Sequence, residues 1–194
     1  MTDIIINDLL KRTKTTKDAC FNAGRRLAKI SNLSLLSLSF IAISLIVLSL
    51  ISLVFKDSKY VIDNNFKIQI IQITISIVAL CISILVHKQD YSMKAEKYRN
   101  QGMDINHLRF IIKNYKECND TYDNNVLLKL GEDYNNILNR YITHKDIDHK
   151  ITSTTGIEWL YHKLSLIITY YSPWYLLVFL NIMLLIEVTT GVFD

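Results

Sequence analysis

A chain of 194 residues that is 50% hydrophobic, with one proline and five glycines, has too few turn formers for an all-β sandwich or barrel, so helix is the starting expectation. The net charge is only +4, and the charged residues are segregated: Leu33 to Phe55, Ile68 to Val86 and Leu164 to Ile186 contain none, leaving the remainder about 31% charged. Runs of about 18 or more uncharged, mostly apolar residues can cross a hydrocarbon core of about 30 Å as helix, which excludes a soluble globular domain and points to an integral membrane protein.

Roughly thirty mostly polar residues precede the first apolar run and no small-residue cleavage pattern follows it, so that run is expected to remain as a span and not to be removed as a signal. Before it, Leu9, Thr13, Thr16, Cys20, Ala23, Leu27 and Ile30 alternate at spacings of four and three and share one face of a helix. Lys11, Arg12, Lys14, Lys17, Arg25, Arg26 and Lys29 precede the first span, and Lys88, Lys94, Lys97 and Arg99 follow the second. The intervening loop carries three lysines against two aspartates. Lysine and arginine collect on cytoplasmic flanks, so both ends of this hairpin are expected inside and the loop outside.

On the first span, Ser34, Ser37, Ser44, Ser49 and Ser52 fall within an arc of about 140° at 100° per residue. On the second, Gln69, Gln72, Ser76, Ala79, Ser83 and the boundary residue His87 fall within about 80°, while Thr74 and Cys81 point elsewhere. Small and hydroxylated residues allow close helix approach, so one reading is a packing seam. The other is a face turned toward a shared aqueous path in an oligomer, because glutamines facing lipid are costly. At rest the glutamines are then expected to pair with the serine stripe.

Beyond the second span the helical rhythm returns in Tyr91, Ala95, Tyr98, Ile105, Leu108, Ile112 and Tyr115, then in Leu127, Leu130, Tyr134, Ile137 and Tyr141. Asn119 to Asn125 separates the two helices, and Asp123 or Asn124 is placed to cap the second. Two amphipathic helices so joined pack as an antiparallel hairpin or pair between chains. Gly131 within the second costs that helix about 1 kcal/mol relative to alanine. Further on, Leu164 to Tyr171 is apolar, Pro173 interrupts, and Trp174 to Phe193 holds one charge, Glu187. Tyr170, Tyr171, Trp174 and Tyr175 suit a membrane interface. This stretch is either a third span or a helix buried in the assembly or lying on the bilayer.

The resulting expectation is an all-α membrane protein. Its parts are a juxtamembrane amphipathic helix over 1–32, transmembrane helices over 33–55 and 68–86 with an external loop over 56–67, a cytoplasmic helical hairpin over 87–150, and the hydrophobic segment over 151–194. Cys20, Cys81 and Cys118 are widely spaced and predict neither a disulfide framework nor a zinc ribbon. His144, Asp146, Asp148 and His149 crowd six residues after Tyr141, but four ligands on one short turn rarely surround an ion, so no metal is expected. No glycine-rich phosphate loop, HExxH or GxSxG is present, so neither catalysis nor a cofactor is expected. The basic residues lie beside the spans, where anionic lipid explains them better than sequence-specific nucleic-acid binding does.

With this layout and the closing stretch YNNILNRYITHKDIDHK, the chain resembles the SLATT family of bacterial two-transmembrane effectors over roughly Asp8 to Lys150. Tyr134, Ile137, Leu138, His144 and Asp148 fit the family's motif, whereas Ile142 and Thr143 stand where it has Glu-Asn, and His149 where it has tyrosine. The resemblance implies an anti-phage (abortive infection) effector without catalytic residues, placed in the inner membrane, which it damages on activation. It also implies a genetic partner such as a nucleotidyltransferase or cyclase, a nucleotide-sensing domain or a reverse transcriptase. No nucleotide-binding domain is visible in this chain, so the expected trigger is a partner protein, a nucleic-acid complex or a small ligand, such as a partner's nucleotide product, bound between protomers of a homo-oligomer. The rival expectation is an anchor or scaffold that holds a cytoplasmic partner at the bilayer without permeabilising it.

Overall fold

A computed structural model describes residues 2–119, 122–141 and 146–193. The described residues are helical throughout apart from short connections: α1 (Thr2–Val54), α2 (Lys59–Gln89), α3 (Tyr91–Cys118), α4 (Asn124–Arg140), α5 (Asp146–Ser153), α6 (Ile157–Leu166), a π-helical turn (Ile167–Tyr171) and α7 (Ser172–Phe193). Three helices are long and apolar enough to cross a membrane, and they contain the three uncharged runs.

No helix boundary falls between residues 32 and 33, where the juxtamembrane helix was expected to end and the first span to begin; α1 runs unbroken for 53 residues. The change from basic to apolar sequence alters what surrounds the helix and not its backbone, and residues 25–58 contain neither glycine nor proline to stop it. The segment expected as an external loop is likewise mostly helix, because α2 begins at Lys59 and only Phe55 to Ser58 form the turn. The buried face of α1 keeps one register along nearly its whole length. Ile6, Leu9, Thr13, Thr16, Cys20, Ala23, Leu27, Ile30, Ser34, Ser37, Ile41, Ser44 and Leu48 alternate at spacings of three and four, and all but half-buried Thr16 are buried.

The chain divides into two compact units. The first contains Met1–Lys29 and Tyr91–Leu166, the second Ile30–Asp90 and Ile167–Asp194. Asp90 ends α2 in the left-handed region (φ 52°, ψ 45°), a conformation that aspartate tolerates better than most residues.

In the first unit the sequence-read stripes are buried where they were expected, at Ala95, Tyr98, Ile105, Leu108 and Ile112 on α3 and at Leu127, Leu130 and Tyr134 on α4. The hairpin does not cover its own seam alone, however. Ile6 and Leu9 of α1 complete the core with Leu108, Ile112, Leu127, Leu130 and Tyr134, making three helices of the expected two. Lys116 donates to Asn7 at 2.7 Å while Gly24 lies against Ala95, so α1 and α3 run antiparallel. Asp123 caps α4 by accepting from the Asn125 N–H at 2.9 Å, and the Asp123 N–H is in turn held by the Tyr115 hydroxyl.

In the second unit two contacts fix the direction of α7. The Ser37 hydroxyl reaches the Trp174 carbonyl at 3.3 Å, and a side chain built on Gly191 would collide with the Tyr60 ring. Ser37 lies near the start of the apolar part of α1, and Tyr60 lies just past the α1–α2 turn. Helix α7 therefore runs the full length of this unit, parallel to α1 and antiparallel to α2. Glu187 is exposed four residues before Gly191, near the end of the helix, where the cost of a charge in a bilayer declines.

Candidate functional site

Arg26 projects from α1 beside the buried Ala23, Leu27 and Ile30, and a guanidinium there requires an anion. Asp148, at the start of α5, supplies it: the Arg26 Nε donates to Oδ1 at 3.0 Å and Nη2 to Oδ2 at 2.7 Å. The two side chains are 4% and 0% exposed. Parallel N–H donors matched to a carboxylate fix geometry as well as charge, and withdrawal from water leaves the pair unscreened. The Asp148 carbonyl accepts from the Thr152 hydroxyl at 2.6 Å, and Asn22 approaches that hydroxyl at 3.5 Å, so α5 meets α1 at a second point.

The pair sits in an otherwise nearly dry surround. Burial, with Asp148 as a lesser cause, pushes the Cys20 thiol up to about 12. Burial likewise raises Tyr98, with the opposing influences of Arg26 and Asp148 close by. Cys20 is therefore a neutral, unreactive thiol near neutral pH. The close approach of α1 to α3 beside the pair depends on glycine at two positions. A Cβ on Gly24 would stand 3.2 Å from the Ala95 carbonyl oxygen, and one on Gly102 would stand 3.1 Å from the Phe21 ring.

The other motif residues lie on α4. Tyr134 is buried and shares a 2.7 Å hydrogen bond with Thr16 of α1; Ile137 and Leu138 pack at the edge of the core. His144 lies outside the described residues, as does the Asp146 side chain. The Asp148 carboxylate is engaged by Arg26, and among the described residues no cluster of three candidate metal ligands occurs. A recess of about 330 Å³ opens between α3 and α4, where Asp104, His107, Asp133 and Arg140 stand over Leu108, Ile111 and Ile137. Tyr141 donates to Asp104 at 2.7 Å at its margin, and that hydrogen bond raises the tyrosine's pKa.

The span stripes separate in space. Ser34, Ser37 and Ser44 are buried, and each donates to a carbonyl of its own helix at 2.8 Å; Ser52, half-buried, bonds to Leu48. Gln69, Ser76, Ser83 and His87 are exposed. Gln69 bonds to Asn65 and Ser76 to the Gln72 carbonyl, so these groups do not pair with the serine stripe as expected at rest. The half-buried Gln72 keeps an Nε2 without a hydrogen-bond partner among the described residues. At Ser37 the neighbouring space is taken by α7, whose Trp174 carbonyl accepts from the serine hydroxyl. The exposed Thr74 and the buried Asn181 instead border a half-open apolar recess of about 310 Å³ that also involves Ile41, Val78 and Leu177.

Arg26, Cys20, Tyr98, Gly24, Gly102 and Asn181 were not singled out from sequence as site residues. Arg26 alone left a signal, a charge flanking an apolar stripe, but its partner is too distant in sequence to infer.

A polar helical unit held by an internal ion pair, joined through α1 to helices able to cross a bilayer, defines an all-α membrane protein. Over residues 4–193 the chain matches the family described as SMODS and SLOG-associating 2TM effector domain family 5, and it belongs to that family. No curated protein and no solved structure matches it. The family description specifies two transmembrane segments, whereas the matched range of this chain includes a third helix that is long and apolar enough to cross.

Proposed function

We propose that this protein is the membrane-damaging effector of a bacterial anti-phage system that acts by abortive infection. The first unit faces the cytoplasm; a partner defence protein or its nucleotide product triggers it, and protomers then assemble in the inner membrane and depolarise or perforate it. The observation that carries this reading is the outward exposure of Gln69, Ser76 and Ser83 on α2. Helix α2 is the least covered of the three, with 6% of its most apolar window buried against 22% in α1. Polar side chains facing lipid are costly, and a second copy or a shared aqueous path relieves the cost. The buried serines, bonded within their own helix, support a packing role for the first stripe. The Arg26–Asp148 pair then serves as the resting hold on α5, and the recess between α3 and α4 offers the trigger a polar point of entry.

The test is conditional toxicity. Triggered cells lose membrane potential, and Gln69→Leu with Gln72→Leu abolishes that loss while expression and insertion persist. A double variant that depolarises cells as fully as the parent makes the α2 stripe a packing seam and replaces the pore with bilayer disruption, whereas triggered cells that keep their membrane potential favour the non-permeabilising anchor or scaffold.

A further inference from the structure

Helix α6 packs against α5 and buries Leu166, with Trp159 and His162 half-buried on the same side. Its other side is uncovered. Ile157, Leu160, Tyr161 and Leu164 are 87%, 51%, 69% and 49% exposed. At 100° per residue these four share an arc of about 100°, with Glu158 on one flank and Lys163 on the other. The Lys163 ammonium sits 4.2 Å above the centre of the Trp159 ring, away from the strip. An uncharged strip between two charged flanks is the pattern of a helix lying at a membrane surface.

The occupant of the strip follows from reach, area and composition. The chain is helical from Leu164 to Trp174, so these residues are at most about 15 Å apart along the helix, however α6 and α7 are joined. Trp174 bonds to Ser37, four residues or about 6 Å inside the apolar part of α1 that begins at Leu33. The headgroup layer beyond the hydrocarbon is roughly 5 to 7 Å deep, so the Leu164 end of the strip lies within reach of it. Four side chains present at most a few hundred Å², short of the ~800 Å² per partner that a stable protein interface buries. Trp159, Tyr161, Tyr170, Tyr171, Trp174 and Tyr175 fall within 17 residues, and such rings favour the boundary between headgroup and hydrocarbon. We propose that α6 is an interfacial helix whose Ile157–Leu160–Tyr161–Leu164 strip sinks into the bilayer surface and holds the first unit to lipid.

The experiment uses the full chain carrying Trp159→Phe, Trp174→Phe and Tyr161→Trp, reconstituted into vesicles of phosphatidylethanolamine and phosphatidylglycerol in equal parts. Lipid brominated at shallow acyl positions is expected to quench the remaining tryptophan about twofold, and acrylamide to quench it weakly. Strong acrylamide quenching without a bromolipid effect places the strip in water and overturns the proposal. Protection from both quenchers means that a second copy or another protein covers it, which also overturns the proposal. Should the triple variant not insert, a nitroxide at Leu164→Cys in a chain with its three native cysteines replaced gives the same choice, with oxygen collisions outnumbering those of a nickel chelate only if the strip is in lipid.

Discussion

Arg26 and Asp148, 122 residues apart in sequence, form a two-pronged ion pair with almost no access to water. Desolvation offsets most of the Coulombic gain of such a pair, so its presence contributes more to register than to net stability, whereas breaking one half strands a buried charge. Arg26→Met or Asp148→Leu alone should destabilise the first unit by about 3–5 kcal/mol, and the two together should restore most of the loss. Denaturant titration in detergent, with hydrogen exchange on α5, measures this. A double variant as unstable as either single one would show that the side chains matter for packing and not as a pair.

The Cys20 thiol gives a pH signature of the same region. Its ordinary value of 9.0 is pushed up to about 12, first by burial and then by Asp148. The folded state holds this proton more tightly than the unfolded state, so the associated stability is complete below pH 9.0 and is lost as pH climbs toward about 12. Maleimide at pH 8 should label the exposed Cys118 and spare Cys20. Rapid labelling of Cys20 in the intact chain would contradict the burial described above.

Three helical glycines should respond differently to alanine. At Gly24 the new methyl meets backbone, the Ala95 carbonyl, so α1 and α3 must separate at a cost of about 1–3 kcal/mol. At Gly102 it meets the Phe21 ring, and Phe21→Leu should rescue part of the loss. At Gly131 nothing lies within 4 Å, and alanine should stabilise α4 by about 0.5–1 kcal/mol. Thermal melts of the three variants check the ordering; equal losses at all three sites would refute it.

Helix α7 runs from the level of Ser37 to that of Tyr60, so the expected outcome is a third crossing that ends on the same side of the membrane as the α1–α2 turn. In a chain with its three cysteines replaced, an impermeant maleimide should reach cysteines introduced at Lys59 and Thr190 in intact cells, and one at Lys113 only after lysis. Labelling of position 113 but not 59 in intact cells would invert the topology, and labelling of 59 without 190 would remove the third crossing. Gly191→Leu, which drives a side chain into the Tyr60 ring, should lower recovery of the inserted protein.

Helical class, the three apolar runs, the buried faces of α1, α3 and α4, and a cap at Asp123 or Asn124 were legible in the sequence, and the structure chose Asp123. Periodicity and capping operate within a few turns, so neighbouring letters suffice to specify them. The motif tyrosine and aspartate were legible as positions but not as contacts, because Tyr134–Thr16 and Asp148–Arg26 join segments more than a hundred residues apart. The span stripes show the same limit from the other side. The pattern placed Gln69, Ser76 and Ser83 on one face of α2, but only the tertiary packing decided that this face would be left open and that Ser34, Ser37 and Ser44 of α1 would be buried while Ser49 stayed exposed. Sequence determines which residues share a helix face, since the backbone repeat is local; what each face meets depends on competition among all the helices for the same space, and only the tertiary structure decides it.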